Sequence, residues 1–144
     1  MTWQDCKDIW EKAIDLCIQN GLSYVAVTED CHAVGFRLSR IMDLSTYAST
    51  DRVYEWIIGD VPALLIDKAP QKWSEALRGC KMCMQFMGLC VHPDYAGGGI
   101  ALRMNRENIA LAKKLGCDSC MVVASNRISQ RIFERIGFKI IAII

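Results

Sequence analysis

A chain of 144 residues can enclose one hydrophobic core without help from metals or disulfides. Seventeen basic against sixteen acidic residues leave a net charge of +1, so no electrostatic footprint for nucleic acid is present. Hydrophobic residues make up 52% but fall in short periodic segments, none long enough to span a bilayer, which argues against a membrane protein.

The N-terminal Met-Thr-Trp-Gln-Asp-Cys has no basic region ahead of an apolar stretch, so the expectation is an intracellular, cytoplasmic protein. The eight cysteines include the pairs Cys80-Lys-Met-Cys83 and Cys117-Asp-Ser-Cys120, which invite a zinc reading. Their separation exceeds the usual ribbon spacing, and both pairs fall in or beside expected strands. With Cys6, Cys17 and Cys90 at apolar-periodic positions, the cysteines are expected to be reduced, buried and structural, and no metal is expected.

No repeat, low-complexity tract or linker divides the chain, so one domain over residues 1–144 is expected. Thr2 and Asp5 resemble a capping box, and Trp3, Cys6, Trp10, Ala13 and Cys17 follow at spacings of three and four until Gly21, predicting a helix with one buried stripe. Residues 23–28 and 33–41 are β-rich and separated by Glu29-Asp30-Cys31-His32, predicting a hairpin whose second strand carries Arg37 and Arg40. Residues 51–58 and 71–77 have helical patterning, with Pro62 and Pro70 between them. Residues 81–91 predict a central strand buried on both faces. A helix over 98–115, closed by Gly116, a strand over 119–124, a helix capped by Asn126 and running to Ile136, and a strand over 138–144 complete a β-α-β-α-β second half.

The central strand runs into Val91-His-Pro-Asp-Tyr-Ala-Gly-Gly-Gly-Ile-Ala101. Three consecutive glycines remove every side chain from a strand-to-helix turn, letting the backbone approach a ligand, and the next helix turn offers unpaired N–H groups at the positive end of its dipole. Phosphate is the natural guest. A dinucleotide fingerprint lacks its third glycine at Leu102, and a Walker loop fails at Leu102 and Arg103. A glycine turn without any ligand is the plain alternative.

Leu89-Cys-Val-His-Pro-Asp-Tyr-Ala-Gly-Gly-Gly-Ile-Ala101 together with Asn126-Arg-Ile-Ser-Gln-Arg-Ile-Phe-Glu-Arg-Ile-Gly-Phe138 resembles, in order and spacing, the two acyl-CoA motifs of the GNAT superfamily of N-acetyltransferases. Gly21-Leu-Ser-Tyr-Val-Ala-Val-Thr and Val34-Gly-Phe-Arg-Leu are similar to segments of the insect and nematode arylalkylamine N-acetyltransferases in that superfamily. The resemblance implies an α/β fold with a mixed, mostly antiparallel central sheet flanked by helices, and acetyl-CoA as the acyl donor. It implies that Ala96, Gly97, Gly98, Gly99, Ile100 and Ala101 hold the pyrophosphate. The strand before the turn is implied to splay from its neighbour, so that Leu89, Cys90 and Val91 meet the pantetheine arm. Asn126, Ser129 and Phe133 line the cofactor's other side by the same resemblance, and the acceptor is a primary amine, a small arylalkylamine being favoured.

Departures from the family pattern bear on catalysis. Ala96 replaces a Gln or Arg anchor. Phe133 replaces a tyrosine that protonates the departing thiolate, and a phenyl ring has no proton to give. Ser125 and Ser129 match the serine pair of the insect-type enzymes, whose N-terminal glutamate has no counterpart. Gln85 stands where some members carry Glu. His92 is a candidate base, with an ordinary loop residue as the plain alternative, and Cys90 is a candidate acyl carrier weighed against a buried structural thiol. Arg37, Tyr47, Tyr54 and Trp56 are candidates either to line an acceptor pocket or simply to pack. The family's first strand and helix and its last strand have no match, so the terminal strand is expected to expose an edge and to support a homodimer. Two rival functions remain open on these residues: a silent acyl-CoA-binding domain, and a peptide or protein N-acetyltransferase.

Overall fold

The computed structural model describes residues 7, 11, 14–19, 21–45 and 75–141. Residues 14–19 are helical and end at Gly21, whose φ of 63° is the left-handed conformation that glycine adopts at no steric cost. Cys17 of the expected stripe is fully buried, whereas Trp3, Cys6, Trp10 and Ala13 lie outside the described residues. So do residues 51–58 and most of 71–77, together with Tyr47, Tyr54 and Trp56.

Among the described residues four strands form one sheet in sequence order: β1 (Tyr24–Val27), β2 (Ala33–Asp43), β3 (Met82–Val91) and β4 (Ser119–Val122). β1 with β2 and β2 with β3 are antiparallel, and β3 with β4 is parallel. The antiparallel hairpin closes through Thr28, whose N–H donates to the His32 carbonyl, with Cys31 at a φ of 64°. The parallel pair needs a crossover, supplied by helix α1 (Ile100–Lys114). A second helix, α2 (Arg127–Arg135), follows β4.

Alternation along the strands sorts the core onto two faces. Met84 and Phe86 of β3 meet Leu22, Ala112 of α1 and Phe133 of α2 on one face, and Phe86, Phe133 and Phe138 form a ring cluster with centroids 4.9 to 5.7 Å apart. Met42, Cys83 and Met121 share the other face with Leu44 and Leu77. A polar strut ties the first face together: Ser39 Oγ donates to Asn108 Oδ1, and Asn108 Nδ2 donates to the Leu22 carbonyl at 2.7 Å. Both side chains are fully buried, so α1 is docked by hydrogen bonds as well as by apolar area.

Three expectations need correction. The strand expected over 138–144 is absent from 138–141, the part that is described. Gly137 (φ 94°) turns the chain, Phe138 N–H donates back to the Phe133 carbonyl at 3.0 Å, and the Phe138 ring is drawn into the aromatic cluster. The edge on which dimerisation was expected to rest is therefore not formed there. β4 stops at Val122, short of the expected Ala124, because its partner turns away at that level. β3 is interior to the sheet, but only residues 83–86 are buried; its second half is partly or fully exposed for the same reason.

Candidate functional site

The divergence of β3 and β4 has a local cause. Their ladder runs from Cys83↔Ser119 to Phe86↔Val122 and ends. At that level the β2–β3 register shifts, Leu38 pairing with Gly88 and Ser39 with Phe86, so Met87 is an extra residue in β3. Such a bulge bends the strand that carries it and sharpens its twist. Beyond the bulge β3 continues along β2 to Val91 with no strand partner on its other side among the described residues.

The orientation of that free edge follows from one hydrogen bond. His92 N–H donates to the Val34 carbonyl at 2.8 Å, so His92 faces β2. Backbone groups alternate along a strand, and Cys90 and Gly88 therefore also face β2, while Leu89 and Val91 turn theirs into the opening. Of the three residues expected to present backbone to a pantetheine arm, Leu89 and Val91 turn their backbone groups into the opening and Cys90 does not. The Cys90 side chain is exposed, contrary to the expected burial, since the bulge carries this half of β3 beyond the cover of the core; Cys31 is exposed at its turn.

At the outer end of the opening the chain forms a short 3-10 turn, Pro93–Tyr95, and then the glycine turn. His92 caps the 3-10 turn: its Nδ1 accepts from the Asp94 N–H at 3.3 Å, and its ring lies edge-on to Tyr95. This is the role of a loop residue. Gly97 (φ 83°) and Gly99 (φ 80°) are left-handed, and a Cβ at either would meet nothing within 4 Å. The glycines are thus required by backbone conformation and open to solvent, not squeezed by neighbouring protein atoms. Gly99 is the N-cap of α1 and brings no side-chain acceptor, and the first turn has no acidic residue. The first hydrogen bond of the helix is from Arg103 N–H to the Gly99 carbonyl, at 2.9 Å. The N–H groups of Gly97, Gly98, Gly99, Ile100 and Ala101 consequently have no acceptor among the described residues, while Ala96 N–H is taken by the Pro93 carbonyl. An uncompensated helix N-terminus of this kind is an anion site.

α2 begins on the far side of the opening, and its N-terminus is treated differently. Asn126 accepts from Ser129 N–H at 2.9 Å, and Ser129 Oγ donates to the Asn126 carbonyl at 2.9 Å, so both side chains are committed to the cap. Ser125 is exposed on the coil between β4 and α2. Phe133, expected to line the cofactor, is 4% exposed and belongs to the core, held between Phe86 and Phe138. Because β3 and β4 are parallel, the N-termini of α1 and α2 both lie at their C-terminal ends. This is where open α/β sheets bind ligands.

On the opposite face, Gln85 is buried and its Oε1 accepts from Arg40 Nε at 2.7 Å. Arg37 crosses β3 on the core face: Nη1 donates to the Gly88 carbonyl at 3.2 Å, and the guanidinium lies 3.9 Å from the Phe86 ring centroid. It lies against Phe86 beside the β3 bulge, and nothing in the sequence chose between packing and lining a site. Burial makes Cys17, Cys83, Cys117 and Cys120 poor thiolates. Burial pushes Cys83 and Cys120 up to about 11, and no cluster of three metal-ligating side chains occurs among the described residues.

The comparisons agree with this architecture. The Acetyltransferase (GNAT) family matches residues 7–138, and the chain belongs to that family. The fold, a mixed sheet flanked by helices with three antiparallel-ordered strands and one parallel partner, is GNAT-like. Arylalkylamine N-acetyltransferase 2 from Aedes aegypti superposes with a TM-score of 0.69 at 18% identity, covering 90% of this chain and 62% of that one. The polyamine N-acetyltransferase of Drosophila melanogaster, which forms N-acetylagmatine, gives 0.67 at 18%, covering 85% and 62%. The aminoglycoside N-acetyltransferase AAC(6')-Iy in complex with CoA gives 0.57 at 16%, covering 99% and 88%. The chain thus spans less than two thirds of the two insect enzymes. A comparison with curated protein sequences finds no match. No helix among the described residues is long and apolar enough to cross a membrane.

Proposed function

We propose that this protein binds acetyl-CoA and transfers its acetyl group to a primary amine, a small arylalkylamine being the favoured acceptor. One observation carries the reading: β3 leaves β4 at a bulge, and the free edge of β3 leads to a helix N-terminus whose N–H groups have no protein acceptor. The two features bind different parts of one ligand. The N–H groups of Gly97, Gly98, Gly99, Ile100 and Ala101 bind the pyrophosphate, and the free backbone of Leu89 and Val91 pairs with the amide-bearing arm. Ala96 leaves this anchoring to the backbone. The arylalkylamine preference is supported by the sequence segments similar to the insect enzymes and by the superposition on one of them.

Acetyl-CoA supplies the activated thioester. The chain polarises its carbonyl through a β3 N–H, a contribution of about 3 kcal/mol for a well-placed donor. The amine nitrogen then forms the new C–N bond as the C–S bond breaks. At neutral pH an amine with a pKa near 10 is more than about 99% protonated, so a proton must first be lost. Gln85 cannot take it, being an amide already engaged by Arg40. Ser129 is tied to its cap, so of the two serines the exposed hydroxyl of Ser125 is the one free to pass the proton to solvent.

Calorimetric titration tests the reading, with acetyl-CoA and CoA as ligands and NAD and ATP as controls. Binding restricted to the CoA species, followed by amine-dependent release of thiol with an arylalkylamine, is the expected result. Absence of CoA binding overturns it; binding with no turnover on any amine or peptide replaces it with a silent acyl-CoA-binding domain.

A further inference from the structure

Among the described residues Arg37 is buried without an anion. Only 2% of the residue is exposed, and its Nε and Nη2 have no hydrogen-bond partner among the described residues. An unpaired buried cation is expensive, and stacking on Phe86 at 3.9 Å returns only part of that cost. Burial accordingly holds the guanidinium down at about 9. Among the described residues the surroundings contain no carboxylate to account for it. From the helical residues 14–19 it faces Cys17, a thiol pushed up by burial and so neutral. On its own strand Arg40 is turned to Gln85. β3 and α2 present Phe86, Gly88 and Phe133, none of them charged.

Its position supplies the missing partner. Phe86 is the last residue of β3 paired with β4, Gly88 is the first beyond the bulge, and Phe133 comes from α2, 5.6 Å from the guanidinium. The guanidinium therefore lies against β3 at the level of the bulge, where the opening begins. A ligand whose pyrophosphate lies on the glycine turn, and whose arm passes Val91 and then Leu89, brings its sulfur end toward Gly88. Phe133, the α2 ring beside the guanidinium, has no proton to donate there.

We propose that the Arg37 guanidinium stabilises the coenzyme A thiolate released by acyl transfer, so that the leaving group departs as an anion and needs no acid. The inference rests on the acetyl-CoA reading above. The C–N bond forms, the C–S bond breaks with its electron pair going to sulfur, and the proton of the amine passes to solvent. A charge-assisted interaction of about 1.5–3 kcal/mol lowers the bound thiol's pKa by about one to two units. The thiolate then binds roughly 10–100-fold more tightly than the thiol.

The test is calorimetric titration of CoA and of desulfo-CoA between about pH 6 and pH 9, a window that reaches the thiol pKa. In the wild-type protein CoA should gain about 10–100-fold over desulfo-CoA as pH rises. Arg37→Met should bind desulfo-CoA as before but lose that gain, and Arg37→Lys should keep part of it. Thermal melting separates this from a purely structural role: removing an unpaired buried cation in favour of an apolar side chain should leave the melting temperature unchanged or raised. The inference is overturned if wild-type affinities for the two ligands follow pH in parallel, a result independent of any variant's folding, or if the gain survives in Arg37→Met. Binding of neither ligand overturns the acetyl-CoA reading itself, and this inference with it.

Discussion

Gly98 and Gly99 are neighbours in the glycine turn, yet alanine should act on them in opposite ways. Gly99 is left-handed (φ 80°), so a methyl there costs about 1–2 kcal/mol of backbone strain, offset by about 0.5 kcal/mol from the stiffer unfolded chain. The net loss of about 1 kcal/mol lowers the melting temperature by about 3 °C in a domain of this size. Gly98 is not left-handed, and a Cβ there would meet only the Tyr95 carbonyl at 3.7 Å, an ordinary contact. Gly98→Ala should therefore fold with unchanged or slightly increased stability. It nonetheless sets a methyl among the N–H groups assigned to the pyrophosphate. Displacing one or two charge-assisted hydrogen bonds should weaken acetyl-CoA binding by about 10–100-fold. Melting curves and calorimetry on the two variants, with Gly21→Ala as a strained but remote control (φ 63°), check the argument. Wild-type affinity in Gly98→Ala would refute the assignment of this turn as an anion site, and a marked loss of its stability would refute the claim that the turn is open.

Asn108→Ala leaves the Leu22 carbonyl and the Ser39 hydroxyl unpaired in the core, so a loss of about 2–4 kcal/mol is expected in urea titration, and the Ser39→Ala/Asn108→Ala double variant should lose less than the two single changes combined. Between pH 9 and pH 11 stability should fall: Cys83 and Cys120, both raised by burial from 9.0 to about 11, each favour the folded state by up to about 3 kcal/mol below pH 9.0, and this is lost as pH rises through 11. Arg37, lowered from 12.5 to about 9, acts with the opposite sign between those values, so Arg37→Met should steepen the alkaline loss seen in melting temperature against pH. Cys31→Gly relieves a left-handed non-glycine residue (φ 64°) at an exposed turn, and should raise stability by about 0.5 kcal/mol or leave it unchanged, as read by thermal melting.

Local chemistry by itself determined much of this protein. Strand alternation, the helix stop at Gly21, the Asn126 cap and the glycine turn are written in short stretches of sequence, since each depends on dihedral preference or on hydrogen bonds within a few residues. Tertiary packing decided the rest. The Phe86, Phe133 and Phe138 rings come from separate segments, and their mutual attraction drew residue 138 into the core where periodicity alone predicted a strand. Whether Cys90 is buried depended on a bulge that exists only in the register of β3 against β2. Arg37 and Arg40 stand on one strand with opposite surroundings, because a strand turns alternate side chains to opposite faces and only the neighbouring elements determine what each face meets.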